Sequence, residues 1–352
     1  MQGLKILPSG NAKATPPPKV KPKNKTTTKK QMRNKTRADA AGPQTLSVGP
    51  TRIYKTPSQA AQEARDHDTI EIDAGVYVDC AVWKASNITI RGVGGRAHVK
   101  DKMCQGKGIW VTKGRNIIIE NIEFSGMRVP SENGAGIRHE GAGLIIRNSY
   151  FHDGEEGILG GGIKPNDVIL IEDSEFARLG RKGQAHPMYI NVAELFTLRR
   201  SYVHGCVDQA NCVKSRAKRT IITCNVIASL DSNSSFEIDL PQGGHATVRD
   251  NIIEQGPKSV NYNIISFAVE SKNPKRRNPE QNLIFKNNIV INDHRKGRYF
   301  LIQHHRNTKI NVSGNRFIGP GTLDFKDGNE YFPRRFMAGL KPYPALPPGC
   351  KK

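Results

Sequence analysis

One short phrase recurs along most of the chain at near-constant spacing, and this repeat restricts the fold more than any other feature. A run of alternating apolar and polar residues closes on an apolar side chain. It reads NIIIENIEF to Phe124, GLIIRNSYF to Phe151, ILIEDSEF to Phe176, LFTLRRSYV to Val203, RTIITCNVI to Ile227, HATVRDNII to Ile253, NLIFKNNIV to Val290 and KINVSGNRF to Phe317. The steps between these ends are 27, 25, 27, 24, 26, 37 and 27 residues. An earlier phrase, NITIRGVGG, precedes the first by a similar step. A period of this length with strand character in every unit predicts a solenoid, in which about 25 residues supply three short strands and three turns. Each coil then pairs in parallel with the next, and inward residues of like type stack along the axis. Asn121, Asn148, Asn225, Asn251 and Asn288 recur near one turn and are expected to hydrogen-bond along the axis. The 37-residue step places an inserted polar loop near SKNPKRRNPEQ.

The flanks read differently. Residues 1–45 are rich in Lys, Pro, Thr and Asn and hold too few apolar residues to bury a core, so they are expected to be a disordered basic tail. Thr56-Pro57-Ser58-Gln59 opens a short helix, with Thr56 as N-cap, Pro57 at the first position and Gln59 reaching back as capping-box partner. Such a helix covers the open end of a solenoid. Residues 46–320 form the solenoid with its cap, and 321–352 a C-terminal extension packing on it. The whole is all-β, a right-handed parallel β-helix of about nine to ten coils.

The chain of 352 residues carries 54 Lys and Arg against 32 Asp and Glu, a net charge of +22. Residues 1–45 hold 11 bases and one acid, so the remainder is itself basic at +12. Such a surface attracts polyanions. Nucleic acid is expected only through the tail, which lacks interleaved aromatic residues for base stacking. No apolar run is long enough for a membrane span. No apolar core of a signal peptide is evident near the start, although Ala38-Asp39-Ala40-Ala41 resembles its small-residue end. Six cysteines occur without a CxxC pair. Cys80 with Cys104, and two of Cys206, Cys212 and Cys224, would be disulfides in an exported protein and otherwise buried thiols. An extracellular or periplasmic location is the expectation.

These coils resemble the pectate-lyase-like superfamily of right-handed parallel β-helices over roughly residues 65–320. Within it, Asn211-Cys212-Val213-Lys214-Ser215-Arg216 followed by TCNVI resembles a segment of the chondroitinase B and alginate lyase family. The resemblance implies action on uronate polymers, with Lys214 as the proton-abstracting base. Where that family carries Leu-Arg-His-Gly, this chain has Leu240-Pro241-Gln242-Gly243. The general acid must therefore come from elsewhere.

Phase counted from the phrase ends gathers candidate site residues on one face. His186 and Tyr189 lie 10 and 13 residues past Phe176, Lys214 and Arg216 lie 11 and 13 past Val203, Glu237 and Asp239 lie 10 and 12 past Ile227, and Asn263 lies 10 past Ile253. In SFEIDL, Phe236, Ile238 and Leu240 read as inward, leaving Glu237 and Asp239 outward. β-Elimination removes the proton α to a uronate carboxylate, whose charge must first be neutralised. A calcium ion held by Glu237 and Asp239, or Arg216 directly, would do this. Lys214, beside the cations Arg216 and His186, or His186 itself, is the candidate base, and Tyr189 the donor to the leaving oxygen. Asn211, Asn263, His304 and His305 are assigned to substrate binding. His152 and His204 share a phase and are expected to pack in turns. Asp153, Glu155 and Glu156 read as a solvated acidic turn or a calcium loop. A uronate epimerase, a non-catalytic polysaccharide-binding or structural β-helix, and hydrolysis by Glu237 with Asp239 are the competing readings.

Overall fold

The computed structural model describes residues 42–160, 166–270, 277–303, 308–325 and 327–350. They wind into a right-handed parallel β-solenoid of about 10 turns. One sheet has nine strands, one from each of successive coils. The other has twenty and takes most coils in two strands joined by a corner. The basic segment proposed as a disordered tail lies outside the described residues up to position 41.

All eight phrase ends fall on a single line of parallel register, from Phe124 through Phe151, Phe176, Val203, Ile227, Ile253 and Val290 to Phe317. Every one of them is fully buried. Phe124, Phe151 and Phe176 stack with ring centroids 4.9 and 4.7 Å apart, and Trp110 meets Phe124 edge-on at 4.9 Å. Each such aromatic pair adds about 0.5–1.5 kcal/mol beyond area burial. Alternation along each strand does the rest, since inward aliphatics on one coil meet inward aliphatics on the next.

The corner between the paired strands is built from two adjacent columns. The first residue is left-handed on each of eight successive coils: Asn121, Asn148, Asp173, Arg200, Cys224, Asp250, Asn287 and Gly314 all have positive φ. The second is small or amide-bearing and buried: Ser149, Ser174, Ser201, Asn225, Asn251, Asn288 and Asn315. Its side chain accepts the backbone N–H of its counterpart one coil earlier, as in Asn225 N to Asn251 Oδ1 (2.9 Å) and Asn251 N to Asn288 Oδ1 (3.0 Å). The amides also bond to one another, Asn225 to Asn251, Asn251 to Asn288 and Asn288 to Asn315, each at 3.0 Å. The expected asparagine ladder is thus real for Asn225, Asn251 and Asn288 and continues through Asn315. Asn121 and Asn148 belong to the left-handed column one residue earlier and pair with each other at 3.2 Å.

The capping helix runs Pro57–Glu63 behind Thr56, with Ala60 buried against the first coil. Thr56 makes no capping bond. Asp79 Oδ2 instead accepts the Ser58 N–H (2.7 Å), and Gln59 reaches the Lys55 N–H (2.7 Å). Three disulfides close: Cys80–Cys104, Cys206–Cys212 and Cys224–Cys350. The last brings in the cysteine left unassigned by the sequence, and the set is compatible with an oxidising compartment. After the final strand, Glu330–Phe332, the chain turns back. Ala338, Leu340 and Leu346 cover the outward Ile252, Ile291 and Ile318 of the larger sheet. Arg335 anchors this segment, bonding Asp293 through Nε and Nη2 (2.7 and 2.5 Å) and the Ala345 carbonyl through Nη1 (2.6 Å). No described helix is long and apolar enough to cross a membrane.

Two stability predictions follow from this arrangement. Asn251→Leu removes the acceptor of two Asn225 donors and leaves buried carbonyls unpaired. It should cost about 2–4 kcal/mol in urea unfolding, whereas Asn121→Gly, which keeps the left-handed backbone at the more exposed column, should cost less. Glu254, buried beside Asp293, has its carboxyl pushed up to about 8, chiefly by burial. Its contribution is full below its ordinary value of 4.5 and is lost as pH rises through about 8. Glu254→Gln should therefore flatten the fall in melting temperature over that window, and an unchanged slope would count against the assignment.

Candidate functional site on the nine-stranded sheet

Six neighbouring strands of the smaller sheet carry the site: Ala135–His139, Glu156–Gly160, Met188–Ile190, Val213–Ser215, Ile238–Leu240 and Asn263–Phe267. Ile137, Ile158, Met188, Val213, Ile238 and Ile265 face the core. The residue after each faces outward in one column, so that Arg138, Leu159, Tyr189, Lys214, Asp239 and Ser266 follow one another in register. Parallel pairing spaces such neighbours by about 4.8 Å. Phase counting matches Tyr189 with Arg216, but the register matches it with Lys214. The turn between phrase and strand varies in length from coil to coil, and the phrase end is therefore a poor origin for this sheet.

Lys214 is the hub. Its Nζ lies 3.4 Å from His186 Nε2, 3.7 Å from Asp239 Oδ2 and 5.0 Å above the Tyr189 ring. The Arg216 guanidinium sits 5.0 Å from the same ring and forms a bidentate pair with Glu270 at 2.7 and 3.2 Å. Asn211 is an internal strut. Its Nδ2 donates to Asp239 Oδ2 (2.8 Å), its backbone N–H donates to His186 Nδ1 (3.1 Å), and its Oδ1 accepts the Phe236 N–H (3.2 Å). Ser266 Oγ donates to the other Asp239 oxygen at 2.8 Å.

This network settles the protonation of His186. Nδ1 accepts from a backbone amide, so the neutral ring carries its proton on Nε2, directed at Lys214. Burial, with help from Lys214 and Arg216, pushes the imidazole down to about 3. His186 is therefore held as a neutral ring beside Lys214. Burial also raises the Asp239 carboxyl, against the pull of Lys214. The Glu156 carboxyl is held well above its usual range by burial, with Arg138 and Lys214 opposing. Glu156 Oε2 and Arg138 Nε are both buried without a hydrogen-bond partner among the described residues.

The structure thus unites Lys214, His186, Tyr189, Arg216, Asp239 and Asn211. Glu237 does not join them. It is fully buried, its Oε1 accepts from Ser229 and Ser234, and burial holds its carboxyl well above the carboxylate range. Strict alternation fails at the corner before the strand, where Ile264 and Ile265 on the next coil both enter the core, while Phe236 stays partly exposed. Glu237 and Asp239 therefore do not face a common space, and the pair is corrected both as a calcium site and as hydrolytic acids. Asn263 lies two coils beyond Asn211, with Nδ2 on Asn261 (3.2 Å). His304 and His305 lie outside the described residues. The acidic turn makes no calcium loop. Asp153 pairs with Arg178 (2.7 and 2.8 Å), Glu155 accepts the Val129 and Gly134 N–H groups (3.1 and 2.7 Å), and Glu156 turns toward the site. His152 and His204 stand on strands, stacked on Tyr150 and Tyr202.

Arg138, Glu156, Ser266 and Glu270 escaped the sequence reading. Counting outward from the inward residue of each strand, instead of from the phrase end, recovers Arg138 and Ser266. Glu270 opens the insertion and reaches back two coils, a contact with no local signal. Because His186 is held neutral, its contribution to stability is present above the ordinary imidazole value of 6.5 and is lost as pH falls toward about 3. In an NMR titration its ring signals should stay flat from about pH 8 to about pH 4. A midpoint near the ordinary value would show that the ring is solvated.

Residues 74–183 match a family model described as a right handed beta helix region. Among solved structures, the chain is similar to a pectate lyase, Pel9A, at 10% identity and a TM-score of 0.48, covering 80% of each chain. The mannuronan C-5 epimerase AlgE6 A-module of Azotobacter vinelandii gives 13% and 0.46, covering 86% of this chain and 92% of that one. A PL6 family alginate lyase, AlyGC, gives 11% and 0.40, covering 82% and 53%. No curated protein matched by sequence. Likeness at this level concerns the winding of the chain, and the site stands on its own geometry.

Proposed function

We propose that the protein binds an acidic, uronate-containing polysaccharide along the outer face of the nine-stranded sheet and cleaves it by β-elimination, with Lys214 as the base. The observation that carries this reading is the convergence of one lysine, one tyrosine hydroxyl-bearing ring and one guanidinium on adjoining coils, braced by neutral His186 and by Asn211. The basic body favours a polyanion.

In the step proposed, the amine of Lys214 takes the proton at C5, α to the uronate carboxylate. The electron pair forms the C4–C5 double bond, the C4–O bond breaks, and the Tyr189 hydroxyl protonates the departing oxygen. Arg216 withdraws negative charge from the carboxylate as the carbanion-like transition state develops. To do so it exchanges Glu270 for the substrate, and Arg138, with an unpartnered Nε among the described residues, stands three coils away on the column that holds Lys214. With Asp239 already bonded by Asn211 and Ser266 and Glu237 turned away, this charge neutralisation is assigned to arginine and not to calcium.

A second reading keeps the binding face without the chemistry. Arg216 with Glu270, and Lys214 with Asp239, are cross-coil pairs of the kind that simply fasten adjacent strands. An epimerase would share the base and return the proton from the opposite face.

The test is the near-ultraviolet absorbance of unsaturated uronate ends on alginate, pectate, glycosaminoglycans and bacterial exopolysaccharides, with calcium added or withheld. Lys214→Ala should lower the rate by about 10²–10⁴-fold and Tyr189→Phe by a similar factor, with polymer binding retained. Binding with no unsaturated product on any polymer sinks the lyase and favours the second reading. Strict dependence on calcium overturns the arginine assignment.

A further inference from the structure

Away from this site, the outer face of the twenty-stranded sheet gathers a second set of side chains. His98, Glu123 and His152 each offer one ligand atom, and these atoms lie within 4.8 Å of one another. Register places His98 opposite Glu123, and His152 diagonal to Glu123 on the following coil, opposite Ser125. Glu123 Oε1 is 3.3 Å from His98 Nδ1 and 3.1 Å from His152 Nε2. The remaining ring nitrogens are occupied. His98 Nε2 is 2.7 Å from Ser125 Oγ, and His152 Nδ1 is 2.6 Å from Asp153 Oδ2.

We propose that His98, Glu123 and His152 form a binding site for a divalent transition-metal ion of the zinc class. Two imidazoles and one carboxylate are a donor set that suits zinc, with a further position left to solvent. Around a tetrahedral ion with bonds of about 2.0–2.2 Å, ligand atoms stand roughly 3.3 Å apart. Two of the three edges already have that length. The outer partners are in place as well. Asp153 receives the His152 Nδ1–H in a carboxylate–histidine arrangement that aims Nε2 inward, and Arg178 holds Asp153 by two bonds. Tyr150 stacks on the His152 ring at 4.3 Å and restricts its rotation.

The charge around the cluster is mixed. Glu123, Asp101 and Asp153 face Lys100 and Arg178, with Arg96 over Tyr150. None of the three ligands is shared with the Lys214 cluster, so the two sites can be disabled one at a time.

The test uses the full chain without an affinity tag, stripped with a chelator and then titrated with Zn²⁺ by calorimetry and with Co²⁺ by visible absorption. One equivalent of each is expected, with the intense d–d bands of a low-coordinate Co²⁺ site. His98→Ala and His152→Ala should abolish this binding. Asp153→Asn should weaken it about 10–100-fold while leaving the stoichiometry at one. Lys214→Ala should leave it unchanged, which separates failure here from failure of the lyase reading. The proposal is overturned if the wild-type chain takes up no stoichiometric Co²⁺ with those bands, or if the histidine variants bind as tightly as wild type. Circular dichroism identifies any variant that has failed to fold, and Glu123→Gln, which keeps the shape of the side chain, then replaces it.

Discussion

The axial hydrogen-bond ladder at the corner of the larger sheet is the constraint on which the coil depends. A parallel solenoid must return its chain to the same place once per turn, and at this corner it does so by a fixed device. One residue in the left-handed region bends the chain, and the next turns a short polar side chain inward to accept an amide from the coil before. The buried groups would be costly if unpaired, so each coil is obliged to sit in register with its neighbours. Serines serve in the N-terminal half and asparagines in the C-terminal half, where the amides also bond to each other. Steps of 24 to 37 residues are tolerated because the variation is confined to the other turns.

That division of labour explains where the candidate site lies. The nine-stranded sheet is reached through the turns that vary, so its outward residues can be exchanged and re-aimed without disturbing the corner. The result is a site whose groups pull against one another. A buried histidine is kept neutral, two buried carboxyls are pushed toward their protonated forms, and a lysine lies between them. Under the proposed reading, opposed environments of this kind serve proton transfer. Arg216 and Glu270 close the rim of this cluster as an ion pair.

Much of the fold was legible because it rests on short-range periodicity. The apolar phrase ends report one inward column directly, and all eight prove to be in register. The asparagines were legible only in part. Asn121 and Asn148 share a residue type with the ladder but occupy the left-handed column beside it, where the backbone conformation selects asparagine for another reason. Glu237 was misread because alternation breaks at a corner, and an acidic side chain there entered the interior with serine hydroxyls around it. Glu156 was hidden inside an acidic string whose three carboxylates diverge. Glu270 and Cys350 make contacts across tens of residues, which no local pattern encodes.

The Cys224–Cys350 bridge changes how the solenoid carries load. In an open stack of coils, tension on the C-terminal end peels the last coil first, because each coil is held only by its neighbour. Here the terminal segment runs back along the flank and is fastened covalently to the corner at Cys224, three corners before the last one at Gly314. A pull on the C-terminus therefore bypasses the final coils and is delivered to the middle of the stack. There, rupture must shear several parallel strands at once and cannot unzip them singly.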